Sequence, residues 1–197
     1  MASISDSLRV ASLNLHGLKN SWHYLQQLLD GHDLLFVQEH WLHTCELDYL
    51  QKLHNDFIVY GKSAMDEKDQ LGLTKGRPFG GIAVFIRKSI SNFVSVVGFD
   101  DDSRIICVWL VCHDLDLLMF GSYFPCYDSS AKYIDTILKL LGYIESVVDM
   151  YAGCKVDLNF ECSAAYYGFR IFDDFAVNVG LVSCDVMVPA GSYSCFP

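Results

Sequence analysis

Hydrophobic positions recur with two different periods along the 197-residue chain, and the period switches define the elements. Leu8–Leu15 is a short apolar run with period-two character, closed by a His16-Gly17 turn. Ser21 stands where a helix cap is expected, followed by Trp22, Leu25, Leu28 and Leu29 at three- and four-residue spacing. Asp33–Gln38, DLLFVQ, has the continuous apolar pattern of a strand buried on both faces. A second helical stretch, Glu46–Leu53, leads into a strand at Phe57–Tyr60, so the chain opens as a βαβαβ unit.

Residues 62–79, KSAMDEKDQLGLTKGRPF, read as a polar, glycine-containing loop long enough to imply function. Beyond it, Gly81–Ile86, Phe93–Val97, Arg104–Val111 and Leu115–Tyr123 read as successive strands of an antiparallel meander. The Asp100-Asp101-Asp102-Ser103 tip between two of them reads as a solvated turn. A long helix runs from Asp128 to Met150, capped by Ser129 or Ser130, with Ile134, Ile137, Leu138, Leu141, Ile144 and Val148 as its apolar stripe. A strand at Cys154–Phe160, a helix near 168–179 and a strand at Leu181–Val188 complete the pattern, with no internal repeat. The expected class is α/β: one domain over residues 1–197 with mixed sheets and helices on their outer faces.

Composition narrows the function classes. With 52% hydrophobic and 19% charged residues, the chain buries a core and is not a disordered segment. No apolar run reaches the roughly 18 residues of a membrane span. The opening MASISDSLRV lacks a secretory pattern, and the eight cysteines are scattered without a C-x-x-C pair. These features point to a reducing compartment, nuclear or cytoplasmic, with several cysteines serving as small core residues. A net charge of −10 argues against a broad basic face for nucleic acid. Residues 62–104, however, carry seven of the fourteen Lys and Arg, so contact with a polyanion is expected near Lys75, Arg77, Arg87 and Lys88.

Four segments end apolar strands with polar, metal-competent residues: Asn14 in SLNLHG, Glu39 in FVQEHW, Tyr123 in GSYFPC, and Asp157 with Asn159 in KVDLNF. Together with the GRPFGG tract, their order resembles the endonuclease/exonuclease/phosphatase superfamily. GRPFGGIAVFIRKSI and GFRIFDDFAVNVGLVSCD are similar to the apurinic-like endonuclease domain of non-LTR, LINE-type retrotransposons. The resemblance runs from about Arg9 to the C-terminus.

It implies a four-layer, DNase I-like α/β sandwich of two mixed sheets, and a divalent-metal phosphodiesterase that nicks DNA to leave a 3′-hydroxyl. Glu39 and Asn14 would hold Mg²⁺ or Mn²⁺, Asp157 would orient or deprotonate water, and Asn159 and Tyr123 would donate to the phosphate. Arg77 and Arg104 are the candidates for DNA phosphate contact. His16, His40 and His43 receive no catalytic role, and Trp41 reads as a core anchor. The chain departs from the family in having Val156 where glycine usually precedes the Asp, and His16 where an acid or amide is usual. No Ser-Asp-His segment follows Cys195. The expectation is therefore a second sheet lacking its last strands, weakened activity, and an edge covered by self-association or a protein partner. The alternative is an inactive endonuclease-like fragment that binds protein or nucleic acid.

Overall fold

The computed structural model describes residues 8–72, 77–112, 115–126 and 130–161, with the backbone alone for 157–161. The described residues build two four-stranded sheets. In the first, β1 (Val10–Asn14), β2 (Leu34–Gln38), β3 (Phe57–Lys62) and β4 (Ile82–Arg87) lie in the order β1-β2-β4-β3. In the second, β5 (Val94–Phe99), β6 (Ile105–Cys112), β7 (Leu115–Tyr123) and β8 (Lys155–Glu161) follow chain order.

The expected βαβ opening holds for β1 and β2, which are parallel and joined by α1 (Leu18–Gly31). It does not extend to β3. The run at Gly81–Ile86, expected in the meander, is β4 of the first sheet and lies antiparallel between β2 and β3. Only β5, β6 and β7 form the meander, and β8 returns parallel to β7 through α4 (Ala131–Met150). The loop after β3 contains a short helix, α3 (Asp66–Gln70); α2 (Asp48–Gln51) precedes β3.

Strand parity sorts the side chains into three cores. Leu34, Phe36, Ile82, Val84 and Ile86 meet Ile106, Val108, Leu110 and Met119 between the sheets. Leu35, Val37, Ala83 and Phe85 point the other way, onto Leu25 and Leu29 of α1. Ile105, Cys107, Leu118 and Phe120 cover the inner face of α4. That face is Tyr133, Ile137, Leu140, Leu141, Ile144 and Val147; Ile134 and Leu138 of the expected stripe are 47% and 54% exposed. Two apolar rows run along this helix, and the docking of the sheet chooses between them. Ser130 is the cap, its Oγ accepting the Tyr133 N–H at 3.1 Å.

Between the sheets Phe36 packs over Gly121; a Cβ on Gly121 would collide with that ring. Two residues further along their strands stand Gln38 and Tyr123, so this contact sets the spacing of the groups at the strand ends. β1 also packs against β8. The helix expected near 168–179, the strand at 181–188 and the predicted uncovered edge lie outside the described residues.

Candidate active site

Glu39 stands on a short, contorted segment stitched on both sides. Gly17 N–H donates to Glu39 O at 2.8 Å and Leu18 N–H to His40 O at 3.1 Å; Glu39 N–H donates to Gly81 O at 2.8 Å and Trp41 N–H to Gly80 O at 3.0 Å. Glu39 and Trp41 have φ of 55° and 54°, and His16 across from them has 47°. Left-handed backbone costs a non-glycine residue about 1 kcal/mol or more, and it persists where surroundings over-determine it.

His40 is that determinant. Its buried ring accepts the Leu42 N–H on Nδ1 at 3.1 Å and donates from Nε2 to Lys62 O at 3.2 Å. The ring rests on Gly81, whose φ of 86° and missing Cβ admit it. Burial pushes the imidazole pKa down to about 4, so the ring is neutral.

The Glu39 carboxylate is only 12% exposed and draws its partners from elsewhere in the chain. His16 Nδ1 lies 2.9 Å from Oε2, and the Tyr123 hydroxyl approaches the same carboxylate from the other sheet. The His16 N–H donates to Asn14 Oδ1 at 3.1 Å. Burial first, and then the Glu39 bond, hold the Tyr123 hydroxyl well above the ordinary phenol range. Tyr123 is thus a neutral donor at working pH.

Two arginines flank this group, each resting on an aromatic ring. The Arg77 guanidinium lies 4.2 Å from the centre of Trp41, and that of Arg104 lies 5.2 Å from the centre of Tyr123. Arg104 also donates to Tyr123 O at 3.4 Å. Beside Glu39 opens a cavity of about 400 Å³ lined by Gly17, Lys19, Trp41, His43, Arg77 and Pro78.

The structure therefore brings Asn14, Glu39 and Tyr123 together at one end of the sandwich. Arg77 and Arg104 stand beside them, while Lys75 lies outside the described residues. For Asp157 and Asn159 the register places the first beside Met119 and the second beside Gly121, two residues short of Tyr123. Sequence reading noted His16 where an acid or amide is usual and gave it no catalytic role, although it touches both Asn14 and Glu39. It also set Trp41 in the core; Trp41 is instead half-buried, packed between Gly17 and Arg77. Position alone carried a signal for His16, two residues after Asn14 in the same turn.

Among the described residues no cluster of three or more His, Cys, Asp or Glu forms. The donors at hand are the Glu39 carboxylate and the Asn14 amide oxygen. The neighbouring Gln38 Oε1 is buried without a hydrogen-bond partner among the described residues. An oxygen-rich set with few protein ligands fits a hard divalent cation that keeps several waters.

No protein-family profile matches the sequence, and no curated protein is similar to it in sequence. Solved structures are similar in shape. The 3′ phosphatase NExo from Neisseria, bound to a product DNA hairpin, superposes with a TM-score of 0.55 at 16% identity, over 78% of this chain and 57% of that one. An AP endonuclease from Leishmania major gives 0.57 at 14% identity, over 74% and 50%. The human Nocturnin catalytic domain with bound sulfate gives 0.59 at 14% identity, over 87% and 70%. The chain thus has the DNase I-like fold of these structures, and spans about half to 70% of their length. Among the described residues no helix is long and apolar enough to cross a membrane.

Proposed function

We propose that the domain is a divalent-metal phosphodiesterase that nicks DNA, of the retrotransposon-endonuclease type. The observation that carries this reading is the approach of Tyr123 from one sheet to the Glu39 carboxylate of the other, with Asn14 joined to them through His16. Three polar residues far apart in sequence meet at the end of the sandwich where the strand order leaves an open rim.

Glu39 and Asn14 hold the cation, which when bound neutralises charge on the scissile phosphate. Tyr123 donates its hydroxyl hydrogen to a phosphate oxygen, and the high pKa of that hydroxyl keeps the proton on it. Asp157 takes a proton from the attacking water as the new bond to phosphorus forms. Asn159 donates to a second phosphate oxygen. The bond from phosphorus to the 3′-oxygen breaks, and that oxygen takes a proton from solvent water, leaving a 3′-hydroxyl and a 5′-phosphate. Arg77 and Arg104 neutralise flanking phosphates, so an acidic protein grips DNA through two positioned cations rather than a basic face.

The test is nicking of supercoiled plasmid with Mg²⁺ or Mn²⁺ by the protein and its Glu39→Gln and Asp157→Ala variants. Asp157→Ala is expected to cost about 10² to 10⁴ in rate, the range of a lost acid–base group, and Glu39→Gln to lower the rate by removing a ligand of the cation. Nicking that survives both would mean that the activity lies elsewhere. A wild-type protein that binds DNA without nicking it would favour the inactive binding module.

A further inference from the structure

We infer that His16 is a nitrogen ligand of the cation held by Glu39 and Asn14, and that it biases the site toward manganese-like ions over magnesium. The inference rests on the reading of Glu39 as a metal ligand. His16 is placed for this by its own backbone. Its N–H fixes Asn14 Oδ1, and its left-handed φ of 47° turns the side chain back across the strand end onto Glu39. The resulting separation of Nδ1 from Oε2 is 2.9 Å. Adjacent ligands on an octahedral ion at about 2.1 Å stand about 3.0 Å apart, so the two atoms already span one edge of such a shell.

The ring is free to make that exchange. It is 72% exposed, so turning Nδ1 toward an ion requires no repacking. To ligate the ion the ring would keep its proton on Nε2 and offer the Nδ1 lone pair, its 2.9 Å contact with Glu39 giving way to one metal bond from each partner. The neighbouring imidazoles are committed elsewhere. Both nitrogens of His40 are bonded to backbone, and His43 Nδ1 pairs with Asp69 at 2.8 Å. Magnesium takes oxygen almost exclusively, whereas manganese and later transition ions accept imidazole nitrogen. One nitrogen among the oxygens therefore separates the two ions.

Metal binding by untagged protein decides the matter without reference to catalysis. Mn²⁺ is titrated by electron paramagnetic resonance, Mg²⁺ by competition, and the bound Mn²⁺ is inspected by pulsed spectroscopy for coordinated nitrogen. Wild-type protein is expected to show imidazole nitrogen modulation. His16→Asn should abolish it and weaken Mn²⁺ about tenfold, the low end of what even outer-shell partners of a metal cost. Mg²⁺ affinity should move by less than about twofold, because the asparagine restores an oxygen. The inference is overturned if wild-type Mn²⁺ shows no nitrogen, if the modulation persists in His16→Asn, or if both ions weaken alike. Glu39→Gln separates this failure from the other: Mn²⁺ bound as tightly by that variant as by wild type removes Glu39 as a ligand, whatever His16 does.

Discussion

Glu39 and Asp100 are both carboxylates withdrawn from water beside a strand, yet they are held in opposite ways. Asp100 closes the turn between β5 and β6. Its Oδ1 accepts the Arg104 N–H at 2.7 Å and the Ile105 N–H at 2.6 Å, and its Oδ2 accepts the Asp102 N–H at 3.1 Å. All three donors are backbone groups within five residues. Glu39 takes side chains instead, one from the turn after β1 and one from the far sheet. Backbone partners cannot leave without undoing the turn, whereas side-chain partners can swing away and admit a ligand. Burial of a carboxylate thus marks structure at Asp100 and, on the proposed function, chemistry at Glu39, and the identity of the partners separates the two.

The sharpest way to break this contrast is to remove each carboxylate and weigh stability. Asp100→Ala strands three backbone donors in a site where the residue is 4% exposed, and is expected to cost about 4 kcal/mol in chemical denaturation. Glu39→Gln keeps an acceptor for Tyr123 and is expected to change stability by less than about 1 kcal/mol. Equal losses would make Glu39 a structural residue after all. Nicking by Asp100→Ala, measured well below its unfolding midpoint, should stay near the wild-type rate.

Next in size is the pH dependence that His40 lends to the site's frame. Its folded pKa, about 4, lies below the ordinary imidazole value of 6.5. Between those values the unfolded chain binds more protons than the folded one, so stability is fully present above pH 6.5 and falls as the pH drops toward 4. A gap of that size amounts to about 3 kcal/mol. His40→Gln keeps a hydrogen-bonding side chain without the titration, and its stability should be flatter across that window. A wild-type curve no steeper than the variant's would show that the ring is not held neutral by burial.

The sequence made the strands at the site legible because their patterns are local. DLLFVQ is buried on both faces, and the polar residue that ends each such run stands out by contrast. What it concealed was decided by distant partners. Ser21 has the chemistry of a cap, but α1 begins at Leu18 with Gly17 at its cap position. The first turn instead gives the Gly17 and Leu18 N–H groups to the carbonyls of Glu39 and His40, leaving the Ser21 hydroxyl to bond Leu15 O at 2.8 Å. The Asp100 turn read as solvated because three acids in a row usually are; only the fold of its own hairpin buries the first of them. His16 looked like an ordinary turn residue because the Glu39 carboxylate that it meets is 23 positions away.

The smallest expected effect concerns the two arginines, and it turns on what their aromatic rings are for. Arg104 is tied to Tyr123 by stacking and by a bond to its carbonyl, whereas Arg77 rests on Trp41 from an exposed loop position. If both meet phosphates, each substitution to alanine lowers the salt slope of DNA binding by about 0.9, the counterions released by one contact. Binding is best measured in the Glu39→Gln background, where DNA stays intact. Trp41→Leu then distinguishes a platform from a bystander. Losing the ring frees Arg77 to wander, so affinity at fixed salt should fall by a few-fold, about 1 kcal/mol. The slope should nevertheless hold near the wild-type value, because the cation itself remains. A slope unchanged by Arg77→Ala would mean that its guanidinium covers Trp41 and nothing more, leaving Arg104 as the site's single phosphate anchor.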